Sequence, residues 1–333
     1  MSMSMMPMMA VPAQVVGFHQ ALVVPVAAVI VNLHASSCVT PCSTQSSASE
    51  GSISRQNSTS AASEQGTSDT SSEGPIRGRV WCMSQRRNSC RFVQASLETC
   101  SDAERFALAL ELQGHVWAAA KSACANYVLQ KFIQLLRPKD CQFIIDELMT
   151  NPADVPNLAR HEYGCRILQR LLEHCQAQME GLVKLLLEDA RALMCHSYGT
   201  YVMQQIFDFG TNVQRQQLGE GFFGALGAMG KDPNATQVLQ KALVHAPQRV
   251  ALARSLVNQL AEMARGRHSH HTALMALKLL PSQDLAKANA LLARKLQKLW
   301  ANRYGRLVVK SIPMLHDQCV GITKREAASS FDA

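Results

Sequence analysis

The 333-residue sequence has few aromatic residues, few charges and no long uninterrupted apolar run. Aromatic residues make up 5% of the chain and include three Trp, which argues against an aromatic-rich β-sandwich or barrel. The longest clean apolar run near the N-terminus, residues 26–31, is far shorter than the ~20 residues that a membrane-spanning helix needs. We therefore predict no membrane association. Apolar residues nevertheless make up 47% of the chain, enough to build a sizeable core.

No CxxC pair occurs among the eleven cysteines, and their odd number does not suit a disulfide framework. The nearest pair, Cys38 and Cys42, has no His close by, whereas a zinc site needs four convergent ligands. His268, His270 and His271 lie close together without a neighbouring Cys or carboxylate. The sequence thus predicts reduced, mostly buried thiols, no metal and no cofactor. Since no local signature of a nucleophile and its base is present, we also predict that the chain is not an enzyme.

Residues 1–74 differ in composition from the rest of the chain. Of the 39 residues in 36–74, 19 are Ser or Thr, and such a segment cannot bury enough apolar surface to offset its chain entropy. We predict a disordered, Met/Ser/Thr-rich tail over 1–74, with a weak targeting signal at 15–33 as the alternative. The tail carries one base and four acids, so the remainder has a net charge of +11. This positive charge favours a polyanionic partner such as nucleic acid.

A five-residue motif recurs from residue 90 onward. Its five clear copies are CRFVQ at 90–94, NYVLQ at 126–130, CRILQ at 165–169, TYVMQ at 200–204 and TQVLQ at 236–240. Two looser copies are TALMA at 272–276 and RLVVK at 306–310. The intervals between successive copies are 36, 39, 35, 36, 36 and 34 residues. A period near 36 residues predicts a solenoid of stacked helical units.

Each copy of the motif has the apolar spacing of an amphipathic helix. After NYVLQ, for example, apolar residues continue at Phe132 and Ile133. At 100° per residue, motif positions 3 and 4 centre the core face, whereas positions 1, 2 and 5 cluster roughly 135° away. We therefore expect Asn126, Tyr127 and Gln130 to share a second face that the core does not claim. Further amphipathic stretches between the copies, separated by Pro and Gly, predict about three helices per unit and an all-α fold without strands.

These motifs resemble those of the Pumilio (PUF) family, and the resemblance covers roughly residues 76–315. It implies a crescent-shaped α-solenoid of about seven three-helix repeats, whose second helices line the concave face. In the family, motif positions 1 and 5 hydrogen-bond one base edge of single-stranded RNA, and position 2 stacks between bases. The RNA-binding residues implied for this chain are Cys90, Arg91, Gln94, Asn126, Tyr127, Gln130, Cys165, Arg166, Gln169, Thr200, Tyr201, Gln204, Thr236, Gln237 and Gln240.

The side-chain chemistry of these positions suits RNA recognition. Asn and Gln amides carry donors and acceptors that can match a Watson–Crick edge, and Arg and Tyr offer flat faces for stacking. By resemblance, Cys with Gln implies adenine and Asn with Gln implies uracil, whereas Thr200 is not a usual residue at position 1. Since RNA runs antiparallel to the protein in this family, the implied element ends in 5′-NAUA-3′.

The later copies depart from the family pattern. The fifth has Gln237 at the stacking position, and the sixth offers Ala273 and Ala276 at positions 2 and 5. The seventh has Arg306 and Lys310, which can hold phosphate but cannot read a base. We find seven copies where eight are usual, and none has the Glu at position 5 that reads guanine in the family. The sequence therefore predicts weaker affinity and relaxed specificity on the 5′ side of the RNA.

The sequence predicts three segments: the tail 1–74, a Pumilio-type RNA-binding solenoid over 75–318 and a C-terminal tail over 319–333. By resemblance, the protein is a cytoplasmic monomer that binds the 3′ untranslated region of mRNA and recruits effector proteins of translational repression or decay. A nuclear or nucleolar location stays open. The alternatives are a protein-binding solenoid whose residues 236–315 hold a partner, and a nucleolar family member that recognises ribosomal RNA by shape.

Overall fold

The computed structural model describes residues 75–320, which belong to one compact unit. The predictions for the N-terminal tail, including residues 15–33, and for residues 321–333 concern residues outside this range, and the segment boundaries stay predictions. Between residues 75 and 320 the chain forms helices and connecting turns, with no strand. No helix in that range is long and apolar enough to cross a membrane. The predicted all-α class is confirmed for this part of the chain.

The α-helices between residues 75 and 320 fall into groups of three. In chain order they are α1 (Val80–Ser84), α2 (Arg87–Thr99), α3 (Asp102–Leu110), α4 (Val116–Lys121), α5 (Ala125–Leu135), α6 (Gln142–Met149), α7 (Val155–Arg160), α8 (Gly164–His174), α9 (Glu180–Glu188), α10 (Ala190–Cys195), α11 (Gly199–Phe209), α12 (Asn212–Glu220), α13 (Leu226–Met229), α14 (Pro233–His245), α15 (Arg249–Leu256), α16 (Leu260–Met263), α17 (His270–Leu279), α18 (Ser282–Ala293), α19 (Leu296–Ala301) and α20 (Arg303–Lys310). In each group, a short first helix precedes a longer second helix, and the second helix carries the motif. The last group contains α19 and α20, followed by helical residues 313–320. We number these groups repeats one to seven.

The second helices pack against one another in series. Helix α2 contacts α5, α5 contacts α8, and the order continues through α11, α14, α17 and α20. This is the predicted solenoid, in which each unit buries its apolar face against its neighbours. Motif positions 3 and 4 lie in this core, where Val128, Leu129, Ile167 and Leu168 are fully buried. Phe92, at position 3 of repeat one, is instead 40% exposed, because no described helix group precedes α2 to cover it.

A carboxylate near the third helix caps the first helix in repeats one and two. The Glu147 carboxylate accepts hydrogen bonds from the backbone N–H groups of Gly114 (2.7 Å) and Val116 (2.7 Å), at the start of α4. Glu111 accepts in the same way from Gly78 (2.7 Å) and from the first residue of α1 (2.9 Å). Both glycines have positive φ, +82° at Gly114 and +77° at Gly78, which favours glycine at this turn. These contacts satisfy N–H groups that a helix start leaves without partners.

Ion pairs join second helices of consecutive repeats. The Lys131 ammonium on α5 lies 2.5 Å from the Glu98 carboxylate on α2. On α14, Lys241 lies 2.7 Å from Asp208 of α11, and the His245 ring nitrogen lies 3.3 Å from the same carboxylate. Burial lowers the pKa of His245, although Asp208 acts in the opposite direction. Partly exposed pairs of this kind contribute modestly to stability.

Near the start of three second helices, a glycine lies directly against the preceding short helix. A Cβ at Gly164 would lie 2.6 Å from the Leu158 carbonyl oxygen, and one at Gly199 would lie 2.8 Å from that of Leu193. The same close approach occurs at Gly305. Normal Cβ contacts are longer, so the missing side chain lets α8, α11 and α20 pack closely on α7, α10 and α19.

We expect Gly164→Ala to destabilise the protein, because its methyl group would overlap the Leu158 carbonyl group and α8 must shift. Overpacking of this kind costs about 1–3 kcal/mol, and each kcal/mol lowers the unfolding midpoint by about 2–4 °C in a chain of this size. Thermal unfolding followed by circular dichroism measures the change. Gly227→Ala is the matched control, since a Cβ there would meet no atom closer than 3.9 Å. Equal midpoints for the two variants would contradict the close approach.

Candidate nucleic-acid interface

Motif position 2 faces solvent in all five clear copies. Tyr127 on α5 and Tyr201 on α11 are 48% and 49% exposed. Arg91, Arg166 and Gln237 are exposed on α2, α8 and α14. Because these helices pack in series, the five side chains form one row, which offers flat aromatic and guanidinium surfaces to a ligand. We call the surface formed by motif positions 2 and 5 the motif face.

Motif position 5 is half-buried beside this row, and in repeats one to four its amide nitrogen donates to the residue at position 1. In repeat one, Gln94 Nε2 donates to the Cys90 carbonyl oxygen at 3.0 Å. In repeat three, Gln169 Nε2 donates to the Cys165 carbonyl oxygen, also at 3.0 Å. One hydrogen bond thereby orients each amide. A glutamine amide also has a second N–H donor and a carbonyl oxygen acceptor, which can bind a ligand.

In the other clear copies the glutamine amide is held by a side chain. Gln130 Nε2 donates to Asn126 Oδ1 at 2.8 Å, and Gln204 Nε2 donates to the Thr200 hydroxyl at 3.4 Å. Gln240 differs, because its Nε2 donates to the hydroxyl of residue 272 in the next repeat, at 3.1 Å. The five glutamines are therefore all half-buried, and four of them donate to the residue four positions earlier on the same helix.

Motif position 1 is buried in the five clear copies, so the expectation that it lies on a face that the core does not claim is wrong. Asn126 is fully buried, with Nδ2 donating to the Ser122 carbonyl oxygen at 2.7 Å. Thr200 and Thr236 are buried in the same way. The second helices of successive repeats pack against each other, and the Thr200 hydroxyl donates to the Asn234 carbonyl oxygen of the next one, α14, at 3.1 Å. Position 1 thus lies beneath the glutamine and fixes its placement.

The buried cysteines at position 1 act as neutral groups. Burial raises the pKa of the Cys165 thiol to about 11, and it raises the pKa of Cys90 as well. Both thiols are therefore protonated near pH 7 and behave as small, weakly polar side chains. Together with the neutral glutamines they leave positions 1 and 5 of repeats one to five without a charged side chain, although position 2 carries Arg91 and Arg166. Among residues 75–320, no three His, Cys, Asp or Glu side chains converge into a possible metal site.

A capping residue four positions before motif position 1 fixes the start of the second helix in five repeats. His196 Nδ1 accepts from the backbone N–H groups two and three residues further on, at 3.2 and 3.3 Å. Asp232 Oδ1 accepts from the equivalent groups at 2.9 and 2.8 Å. Ser122, His161 and Asn302 do the same in their repeats. These residues were not among the predicted site residues, although Ser, Asp and Asn before an apolar run are typical of helix starts.

The sixth copy of the motif lies two residues earlier than the sequence predicted. Ala273 and Ala276, predicted at positions 2 and 5, are fully buried. On α14 the motif reads buried, exposed, buried, buried and half-buried, and the same order on α17 begins at His270. His270, His271 and Leu274 therefore occupy positions 1, 2 and 5, so this repeat has a ring at the stacking position after all.

The contact between α16 and α17 supports this register. In α8, α11 and α20, the residue before motif position 1 lies against the carbonyl oxygen six residues earlier. Ser269 makes this contact in repeat six, where its hydroxyl donates to the Met263 carbonyl oxygen at 2.8 Å. The predicted register rested on the apolar pair Leu274 and Met275. This pair is only half-buried, because small side chains fill the core of this repeat.

The seventh copy keeps its predicted register. Val308 and Val309 are buried at positions 3 and 4 of α20, whereas Arg306, Leu307 and Lys310 are exposed at positions 1, 2 and 5. The motif face therefore changes along the chain, from glutamine at position 5 in repeats one to five to leucine and lysine in the last two.

A family model for the Pumilio-family RNA binding repeat matches the chain five times. The matched residues are 87–113, 118–149, 154–183, 191–220 and 228–251. These segments contain the five clear copies of the motif, one in each match.

Curated relatives carry the same family features over part of their length. A Pumilio domain-containing protein of Schizosaccharomyces pombe is 28% identical over 152 residues, which cover 45% of this chain and 22% of the relative. Pumilio homolog 12 of Arabidopsis thaliana is 24% identical over 232 residues, 67% of this chain and 38% of the relative. Fem-3 mRNA-binding factor 2 of Caenorhabditis elegans is 25% identical over 180 residues, which cover 48% of this chain and 28% of the relative. The chain thus spans less than half the length of each of these relatives.

Solved structures share the helical solenoid. PUF-8 in complex with PBE-RNA superposes with a TM-score of 0.66 at 18% identity, covering 72% of each chain. The Puf3 RNA binding domain bound to a Cox17 RNA 3′ UTR recognition sequence gives a TM-score of 0.61 at 22% identity, covering 72% of this chain and 74% of that one. At these identities the likeness establishes the fold.

We expect Asp232→Ala to destabilise the protein, because two N–H groups at the start of α14 lose their acceptor. Loss of a helix cap costs about 0.5–2 kcal/mol. Asp232→Asn, which copies the Asn302 cap of repeat seven, keeps an acceptor oxygen and should retain most of the stability. Thermal unfolding of both variants measures the difference. If the Asn variant is destabilised as much as the Ala variant, the charge of Asp232 matters and the capping explanation is wrong.

Proposed function

Since the chain belongs to the Pumilio family of repeat proteins, we propose that it binds single-stranded RNA along the motif face and regulates mRNA. The observation that carries the proposal is the row of five repeats in which an exposed position 2 lies beside a half-buried glutamine. One such pair per repeat suits a ligand that offers one planar, hydrogen-bonding group per step, as RNA does. The RNA-bound structures of PUF-8 and Puf3 and the name of the fem-3 mRNA-binding factor support the same function.

In the proposed complex, bases stack on the side chains of position 2 and meet the glutamine amides of position 5. Tyr127 and Tyr201 supply aromatic faces, and Arg91 and Arg166 supply guanidinium planes. Stacking of this kind contributes about 1–3 kcal/mol per base and tolerates every base. Base choice must therefore come from the amide and from the buried residue that supports it.

The supporting residues favour an RNA element that ends in 5′-NAUA-3′. By resemblance to the family, repeats one and three, with Cys at position 1, select adenine, and repeat two, with Asn126, selects uracil. For repeat four, which has Thr200 at position 1, the resemblance assigns no base. We place this element in the 3′ untranslated region of mRNA, where the protein, as a cytoplasmic monomer, recruits effector proteins that repress translation or promote decay.

Fluorescence anisotropy with the full chain tests the proposal. The probes are labelled UGUAUAUA, the same RNA with its terminal AUA changed to CCC, and the same RNA with UGU changed to CCC. We expect the 3′ change to weaken binding by at least about tenfold, since each base-specific pair of hydrogen bonds discriminates by about 1–3 kcal/mol. The 5′ change should have a much smaller effect.

The alternatives give different results in the same titration at two salt concentrations. Equal binding of all three probes, falling steeply with salt, would indicate sequence-independent recognition of the phosphate backbone, as in the ribosomal RNA alternative. No binding of any probe would overturn RNA recognition and leave the protein-binding solenoid.

We expect Asn126→Cys to switch the preferred base at one position of the RNA. Cys occupies the same place in repeats one and three, so the fold accommodates it. The variant should prefer UGUAUAAA to UGUAUAUA, whereas the original protein should prefer the reverse. Thr236→Cys is the matched control, because repeat five lies outside the NAUA segment and should leave this ratio unchanged. An unchanged ratio in Asn126→Cys would show that position 1 does not choose the base.

A further inference from the structure

The last two repeats lack the groups that read bases in the first five. Position 5 is Leu274 in repeat six and Lys310 in repeat seven. Leucine has no polar group and lysine only donates, so neither presents the paired donor and acceptor of an amide. His270, at position 1, is buried, and its Nδ1 lies 2.9 Å from the Arg267 carbonyl oxygen, which requires a proton on that nitrogen. These repeats therefore hold little that distinguishes one base from another.

Three rings nevertheless lie in contact across repeats six and seven, with interplanar angles of 39° and 33°. The His271 ring centroid lies 4.1 Å from that of His270, and the His270 centroid lies 4.9 Å from that of Tyr304. The Arg303 guanidinium lies 6.0 Å from the centre of the Tyr304 ring. His271 is the exposed end of this ring cluster. Burial, followed by electrostatic interaction with the His270 ring, lowers the pKa of His271, which favours the neutral ring and reduces the cost of stacking on a base.

Positive charge is concentrated in the same two repeats. Residues 257–320 contain ten Lys and Arg against three Asp and Glu, whereas residues 75–256 contain twenty against sixteen. Two of the three acids are already paired, Glu262 with a lysine at 3.1 Å and Asp284 with an arginine at 2.7 Å. The bases in this part of the chain therefore outnumber the carboxylates that could neutralise them.

Several of these cations lie on the motif face or next to it, with Lys310 at position 5 of repeat seven and Arg306 at position 1. Arg306 and Lys310 are exposed one helical turn apart on α20. On α17, Lys278 is exposed two turns after His271 and on the same side of the helix. A stacking ring flanked by exposed cations matches the chemistry of sites that bind single strands without reading their sequence.

We propose that repeats six and seven form a sequence-independent RNA anchor, in which His271 stacks on a base of any identity and Arg306, Lys310 and Lys278 hold phosphates. The inference rests on the proposed function and extends it: the chain reads one segment of the RNA and anchors the adjoining one. Since RNA runs antiparallel to the protein in this family, the anchored segment lies on the 5′ side.

RNA length and sequence test the anchor with the full chain. The core probe is UUAUA, and the extended probes carry CCCC or AAAA at its 5′ end, or CCCC at its 3′ end. We expect either 5′ extension to tighten binding by about tenfold, because stacking one base contributes about 1–3 kcal/mol and phosphate contacts add to it. The two 5′ extensions should give similar gains, and the 3′ extension should give none.

Three variants separate the stacking and charge contributions. His271→Ala should remove most of the affinity that the 5′ extension adds. His271→Tyr keeps a ring and should retain that added affinity. The double variant Arg306→Ala/Lys310→Ala should reduce the slope of log affinity against log salt by about 1.4, since each phosphate contact to a single strand contributes about 0.7. Lys287→Ala/Lys298→Ala is the matched control, because it removes the same charge from α18 and α19, which carry no motif. Circular dichroism checks that each variant is folded.

The anchor and the proposed function can fail independently. The anchor is overturned if the 5′ extensions do not raise the affinity. It is also overturned if the increase differs by more than about fivefold between CCCC and AAAA, since stacking and phosphate contacts are nearly sequence-neutral. A gain that survives both His271→Ala and the double variant would overturn it as well. The affinity for the core probe, compared with a CCCCC control, reports on the amide readers of repeats one to five alone.

Discussion

Each helix group depends on its neighbours to bury its apolar face, and this dependence determines where the functional side chains lie. Val128 and Leu129 must face the adjoining second helices, so Tyr127 is forced outward and Gln130 to the flank of the same helix. The row of position 2 side chains is therefore a consequence of the packing that stabilises the solenoid. Phe92 occupies a core position but is 40% exposed, and within residues 75–320 no helix group precedes its own.

The period and apolar spacing of the motif were sufficient to predict the fold and the exposed row, but not the burial of position 1. Helical geometry places Asn126 on the polar side of α5, and the sequence does not show how closely α2 and α8 approach. A polar side chain can be buried there because Ser122 and Gln130 satisfy its amide. The burial that a flanking helix adds arises only when the repeats assemble. The apolar pattern of a single helix therefore does not predict it.

The register of repeat six was mispredicted for a different reason. Leu274 and Met275 have the apolar character expected at positions 3 and 4, whereas the residues that fill the core, Thr272 and Ala273, are small and only weakly apolar. A register chosen from hydrophobicity alone therefore lies two residues later than the register in the structure. The contact of the Ser269 hydroxyl with the backbone of α16 identifies the correct position, since the equivalent residue lies against the preceding short helix in three other repeats.

In the proposed RNA complex, the two kinds of contact have different physical requirements. Reading a base requires a neutral amide whose direction is set before the ligand arrives, and in repeats one to four position 1 provides this support. Holding a phosphate requires an exposed cation, which needs no such support and tolerates displacement. Arg91 and Arg166 do lie beside the glutamines, but their proposed role is stacking, whereas Arg306 and Lys310 lie in a repeat that has no glutamine. In the proposed complex, affinity can therefore come from phosphate contacts in the last two repeats while base choice comes from the amides of the earlier ones.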